Sequence, residues 1–306
     1  MDQHDRTIFA KLCANCRVSY ETLARETGLS PNAVKNRLNN LIENGLVSQF
    51  KVILNHKMMD ADTFQGVVIT DGTERIEDFV DSIGESPLVG HISTVASVNG
   101  GAYLVWGQYS KIEMLSELGG FLRSLKEVED VELHPLRRLN PSDGPVKIRF
   151  PKLHRRVLRV LVNNPQMQMS DIAQETGLSP KTVRRALREI NEDGFVKFVV
   201  RPDLAAGGLV NLNIRILWDE KMCSIEDLVK WLKEEYPIEF WDPWVSALEP
   251  VVFAEFMVGD LHDAELISKR VREFPCVKSS TTLVSYSSTK FPYLAEIRLR
   301  EMVEAE

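Results

Sequence analysis

The chain repeats itself at an offset of 149 residues. Residues 21–47 read ETLARETGLSPNAVKNRLNNLIENGLV, and residues 170–196 read SDIAQETGLSPKTVRRALREINEDGFV. They align without gaps, and the block Glu26 to Pro31 returns whole as Glu175 to Pro180. The same offset pairs Ile8, Phe9 and Leu12 with Val157, Leu158 and Leu161, so each copy opens with a further amphipathic helix.

Within a copy, the punctuation is that of three helices and a strand. Leu23 and Ala24 share one side of a short helix, and Gly28 stops it where glycine reaches positive φ most easily. Ser30 is a good N-cap, and Pro31 fits the first turn of the next helix. Val34, Leu38 and Leu41 recur at i, i+4, i+7, Gly45 ends the helix, and LVSQFKVIL has strand character. Gly177, Ser179, Pro180, Val183, Leu187, Ile190 and Gly194 repeat each signal. This order predicts a winged helix-turn-helix in each copy.

Behind each of these units the pattern changes. FQGVVIT, HISTVASV, AYLVWGQY and VEDVELHPL read as strands, with RIEDFVDSIGESP and KIEMLSELGGFLRSL as helices between them. The order is βαββαβ, a ferredoxin-like motif. LVNLNIRILW, SIEDLVKWLKEEYP, FWDPWVSAL, VVFAEFMVG, AELISKRVREFP and VKSSTTLVSYS repeat it. The predicted fold class is α+β, a tandem duplication of a winged helix-turn-helix followed by a ferredoxin-like domain. The expected boundaries are 1–55 and 147–203 for the helix-turn-helix units, and 60–140 and 207–289 for the ferredoxin-like domains. A C-terminal helix, 290–306, has no partner in the first half, and PSDGP at 141–145 is the expected linker.

With 44% hydrophobic and 26% charged residues, the chain is not mainly disordered. It contains no apolar run long enough to span a membrane, and its start, MDQHDRTIFAKL, lacks a signal-peptide core. A cytoplasmic protein without membrane contact is expected. Four cysteines do not make a disulfide scaffold. Cys13-x-x-Cys16 reads as packing, because its counterparts Val162 and Pro165 carry no sulfur and no nearby His completes a zinc site. Cys223 and Cys276 stand isolated in the sequence, and the tryptophans at 218, 231, 241 and 244 suit a core as well as a pocket.

The net charge of −7 argues against a nucleic-acid binder until it is divided. Residues 1–50 carry six Lys/Arg against five Asp/Glu, net +1. Residues 147–201 carry twelve against five, net +7, which leaves −15 for the remainder. Phosphate contacts need local positive charge, not global charge. Opposite the buried stripe, the third helix of the first copy presents Asn32, Lys35, Asn36 and Asn39. The second copy presents Lys181, Thr182, Arg184, Arg185 and Arg188. Arg pairs bidentately with guanine and Asn with adenine, so these nine residues are the candidate contacts to double-stranded DNA.

ARETGLSPNAVKNRLNNLIENGLV, preceded by DRTIFAKL, is similar to the helix-turn-helix of the Lrp/AsnC transcription regulators, and so is AQETGLSPKTVRRALREINEDGFV. The βαββαβ stretches resemble that family's effector and oligomerisation domain, often called RAM. A usual member has the length of one repeat, so the chain resembles two members fused head to tail. The resemblance implies transcription regulation, an effector such as an amino acid, and two RAM-like sheets packed across a dimer axis. That pairing arises either within one chain, as a pseudo-dimer, or between two chains as a homodimer. It places effector binding near Asn99, Gly100 and Gly101. The family's turn there is Gly-x-x-Asp-like. The first half has the glycines without the Asp, and Glu249-Pro250-Val251 in the second has no glycine.

A second class uses the same architecture. Siroheme decarboxylases put His and Arg in a substrate cleft. The strand HISTVASV, with His91, contains no Arg; His134 lies on another predicted strand, and the second half lacks a comparable His. The helix-turn-helix units of those enzymes also generally lack a strongly basic face. The sequence therefore predicts a regulator and not an enzyme, with no catalytic residues, cofactor or metal. A co-regulator whose helix-turn-helix units dock only on protein is the third class.

Overall fold

The structure, a computed structural model, describes residues 1–55, 59, 61–97, 100–137, 150–204 and 206–305. The predicted linker at 141–145 lies outside them. In chain order the elements are α1 (Gln3–Ala14), α2 (Tyr20–Thr27), α3 (Pro31–Glu43), β1 (Val47–Leu54), β2 (Asp62–Thr70), α4 (Ile76–Gly84), β3 (Val89–Val95), β4 (Ala102–Tyr109), α5 (Ile112–Ser124) and β5 (Val128–Pro135). The second half follows with α6 (Lys152–Leu161), α7 (Met169–Thr176), α8 (Pro180–Asp193), β6 (Val196–Pro202), β7 (Val210–Trp218), α9 (Ile225–Glu235), β8 (Phe240–Val245), β9 (Val251–Val258), α10 (Leu261–Arg272), β10 (Val277–Lys290) and α11 (Leu294–Glu304). No described helix is long and apolar enough to cross a membrane.

These elements gather into two compact units, 1–60 with 141–203 and 294–306, and 61–140 with 204–293. The first unit holds both helix-turn-helix copies. Ser30 Oγ accepts the N–H of Ala33, and Ser179 Oγ that of Thr182, so both third helices start where their caps predict. Gly28 and Gly177 end the preceding helices with φ of 72° and 62°. The two β-segments do not close on their own copies. β1 pairs antiparallel with β6, Phe50 opposite Val200 and Val52 opposite Phe198. The copies also exchange polar contacts: Arg17 donates to the carbonyls of Pro165 and Met167, and Gln166 to that of Cys16. Cys16 is 2% exposed, its N–H donates to Phe198, and burial pushes its thiol up to about 11.

The unpartnered helix α11 packs on α6 and β1. Its Glu296, only 4% exposed, meets Lys51 Nζ of β1 at 3.2 Å and Arg201 Nη2 of β6 at 3.0 Å. At its C-terminal end, Arg155 and Arg159 donate to the carbonyls of Ala305 and Val303, groups that a helix end leaves without intrahelical partners.

In the second unit, the two βαββαβ halves form one eight-stranded antiparallel sheet in the order β5-β2-β4-β3-β10-β7-β9-β8. β10 runs past the predicted end of its strand because its last residues pair with β3 of the other half, Ser288 opposite Ser93 and Lys290 opposite His91. The sheet's two outer strands meet at one end, where the Arg137 N–H donates to Val245 and the Ala247 N–H to Pro135, both at 2.7 Å. Each half covers one sheet face with its own helices, Phe64, Val105 and Leu122 in the first and Ile214, Leu232 and Phe256 in the second. The other face is covered by the other half: Val67, Val95 and Leu104 pack with Val251, Phe253 and Leu283. Burying a side chain such as Phe253, 0% exposed, contributes about 1.5–3 kcal/mol. The two βαββαβ halves thus pack on each other within one chain. Of the tryptophans, Trp218 is buried, Trp231 stacks on Phe274 at 4.0 Å, and Trp244 donates to Glu255 beside Trp106.

Candidate nucleic-acid interface

On α3, Val34, Leu38 and Leu41 are buried, and Asn32, Lys35, Asn36 and Asn39 are exposed. On α8, Val183, Ala186, Leu187 and Ile190 are buried, and Lys181, Arg184, Arg185 and Arg188 are exposed. Thr182 is half-buried, its hydroxyl 2.8 Å from that of Ser179, which suits a cap better than a base contact. Arg185 and Arg188 each lie within 4 Å of a glutamate one turn on, Glu189 and Glu192, pairs that solvent screens strongly. Lys181 and Arg184 have no ion pair among the described residues.

Some of the positive charge counted in sequence is held elsewhere. Arg37 Nη1 is 2.7 Å from both Asp2 Oδ2 and Asp5 Oδ1, so it ties α3 to the start of α1. In the second copy, Arg155 and Arg159 cap α11, and Arg201 pairs with Glu296. The net +7 is therefore not all on the exposed face of α8. Of the cations that remain, Lys181, Arg184, Arg185 and Arg188 are exposed on α8.

The second unit carries a cleft of about 500 Å³ whose lining comes from both halves: Ile112, Leu115, Gly119 and Arg123 of α5, Glu132 and His134 of β5, Arg215 of β7, and Leu248 and Glu249 after β8. His134 is 5% exposed. Ser246 Oγ accepts the N–H groups of Leu248 and Glu249 and lies 3.3 Å from His134 Nδ1. His134 Nε2 lies 3.2 Å from Glu132 Oε2, an oxygen that also accepts from Arg215 Nε at 3.0 Å. A Cβ at residue 119 would stand 3.0 Å from Arg123 Nη2, so the glycine lets that guanidinium lie back along its helix. An imidazole and two guanidinium groups from three separate elements thus line one cleft. His134 was visible in sequence, whereas Arg123, Glu132 and Arg215 were missed. The available signal was alternation: Glu132 and His134 share a strand face, and Asn211, Asn213 and Arg215 place polar groups on the inward side of β7.

Of the expected effector turn, Asn99 lies outside the described residues. Gly100 and Gly101 are packed against the turn after β2: Gly101 N–H donates to Thr70 Oγ1, and a Cβ on Gly100 would meet the Thr70 carbonyl. Glu74 accepts from Thr70 and Tyr103 at 2.6 and 2.7 Å. Burial opposes ionisation of Glu74, but these two donors hold its carboxyl below the ordinary value. These two glycines serve a close backbone approach.

Residues 1–48 and 151–197 each match a family model described as winged helix-turn-helix DNA-binding. The transcriptional regulator AzlB of Bacillus subtilis (strain 168) is 28% identical over 92 residues, 29% of this chain. The chain spans about three-fifths of that protein's length. An AsnC family transcriptional regulator from Agrobacterium tumefaciens, 19% identical with a TM-score of 0.37, covers 48% of this chain and 97% of its own. The chain therefore carries two copies of a winged helix-turn-helix, at 1–48 and 151–197. The tandem as a whole also resembles a solved structure, the siroheme decarboxylase NirDL. The likeness covers 98% of each chain, at 14% identity and a TM-score of 0.56. In co-complex with an iron-uroporphyrin III analogue, that protein gives a TM-score of 0.54.

This end-to-end likeness overturns the expectation that the tandem is not an enzyme. The physical reason is in the cleft. The expectation looked for His and Arg together on HISTVASV, and a basic recognition helix says nothing about a site in another unit. The fold instead assembles His134, Arg123 and Arg215 from β5, α5 and β7.

Proposed function

We propose that this chain is a sequence-specific, DNA-binding transcription regulator. In this reading α8 supplies most of the affinity, and α3 supplies discrimination between bases. The carrying observation is the outward face of α8, where Lys181, Arg184, Arg185 and Arg188 are exposed on the helix that a helix-turn-helix lays in the major groove. The asparagines of α3 suit adenine. Because the two faces differ, the pair reads two unlike half-sites, which a symmetric dimer cannot do. A small-molecule effector, amino acids included, acts through the second unit, and the protein works in the cytoplasm. The test is a gel shift on duplexes selected from a random pool, at several salt concentrations. Binding should fall linearly on a log–log salt plot and select an asymmetric site. No retardation at low salt overturns the reading, and retardation without a selected motif favours a co-regulator that docks on protein.

The full-length likeness to a siroheme decarboxylase and the His134–Arg123–Arg215 cleft favour a second reading, an enzyme of the same architecture acting on a tetrapyrrole. Adding siroheme to the purified protein tests it. An absorbance change with loss of carboxyl groups supports this reading, and an unchanged spectrum with unchanged substrate removes it.

A further inference from the structure

Cys223 and Cys276, isolated in sequence, are brought together by the fold. Asp219 is the joint. Its N–H donates to the carbonyl of Cys276 at 2.8 Å, and its carbonyl accepts the N–H of Cys223 at 3.2 Å. Cys223 precedes Ser224, the N-cap of α9, and Cys276 precedes β10, whose Val277 pairs with Trp218. Both backbones are thus one hydrogen bond from the same residue, which holds the two cysteines next to each other. Both are free; Cys276 is buried, and the half-buried Cys223 packs on the outer core of its half. Among the described residues, no group of three His, Cys, Asp or Glu is placed to hold a metal ion, so a metal site is not what the pair builds.

We infer that Cys223 and Cys276 are a disulfide-forming pair, at which hydrogen peroxide closes a cross-link between the start of α9 and the start of β10. The Cys223 sulfur, the more exposed, attacks one peroxide oxygen. The O–O bond breaks, a sulfenic acid forms, and water leaves with the thiol's proton. The Cys276 sulfur then attacks the sulfenic sulfur; the S–S bond forms, the S–O bond breaks, and a second water leaves. The two thiols lose two electrons and the peroxide gains them.

Burial and the adjacent Cys276 thiol push the Cys223 thiol up to about 12. Thiolate is therefore scarce at neutral pH and the bond forms slowly, but a thiolate so costly to release also makes the finished bond hard to reduce. The pair records sustained oxidation and does not respond to a brief pulse.

The test uses the folded, full-length protein, which has four cysteines. After hydrogen peroxide, the free-thiol titre should fall from four to two. A non-reducing peptide map should join the segments bearing Cys223 and Cys276, and dithiothreitol should restore all four. The rate should climb roughly tenfold per pH unit from about pH 7 to about pH 9, where an ordinary thiol begins to level off. Cys223→Ser should keep its three remaining thiols through the same treatment. If that variant does not fold, the wild-type peptide map decides alone. Survival of all four thiols, a Cys13–Cys16 link in place of this one, or sulfinic acids without a cross-link overturns the inference.

Discussion

The two helix-turn-helix units use the same backbone signals and distribute their charges differently. In the first, Asp2 and Asp5 hold Arg37, so one of the few cations of α3 ties that helix to α1. At the offset of 149, His154 stands for Asp5 and Ala186, fully buried, for Arg37. There the first helix is held by His154 Nε2, 2.9 Å from Glu189 Oε2, on the flank of α8. The arginines of α8 are left on its outer face. One fold can fasten its opening helix with or without a recognition-helix cation, and that choice decides how much charge is left for DNA.

The largest expected effect tests that asymmetry directly. Changing Arg184, Arg185 and Arg188 to Glu should abolish DNA binding in a gel shift. Three contacts at roughly 1–3 kcal/mol each are comparable to the roughly 4–10 kcal/mol by which specific binding exceeds background, and the reversed charges also repel phosphate. The far-UV spectrum should stay unchanged and the melting temperature fall only slightly, because all three side chains are exposed and the pairs lost to Glu189 and Glu192 are screened. Next in size is Glu296→Ala. Removing this carboxylate strands Lys51 and Arg201, one from each copy, at a cost of about 3–5 kcal/mol by chemical denaturation.

Smaller is the first-unit change, Lys35→Glu with Asn36→Ala and Asn39→Ala. It should weaken binding by about 1–3 kcal/mol and relax the selected sequence at one half-site. A greater loss here than with the α8 variant would reverse the assignment. The smallest is Arg37→Ala, under about 1 kcal/mol of stability with DNA affinity intact. Its pH dependence has a definite sign. The N–H of Asp5 and the Arg37 guanidinium hold the Asp2 carboxyl below its ordinary 3.8. A lowered folded pKa gives stability that is full above about pH 4 and fades as pH falls, so wild type and variant should converge in acid.

Most of the first unit was legible because helix caps and glycine stops are local. Ser30, Pro31, Gly28 and their counterparts fix the helix boundaries from within a few residues. What escaped depends on long-range partners. LVSQFKVIL reads as a strand, but no local signal says that its mate is β6. The acidic-basic balance of 147–201 could be counted, but not the share of it that caps α11. The cleft was the hardest to read, because Arg215 joins Arg123 and His134 only once the two halves pack, and no spacing rule links them. Likewise, Cys223 and Cys276 are joined through Asp219, a residue without any motif.

The pairing of β1 with β6 has a consequence for how such a molecule responds to its own abundance. Two readers that must find each other in solution are sparse when scarce, so occupancy of their site rises with a power of protein concentration. Here the readers are joined by the chain and by a strand ladder, from Leu54 opposite Val196 to Val47 opposite Pro202. That union is unimolecular and has no dilution limit. In the regulator reading, a single copy arrives with both readers in place, and the dose–response curve is graded where that of a dissociating dimer would be steep.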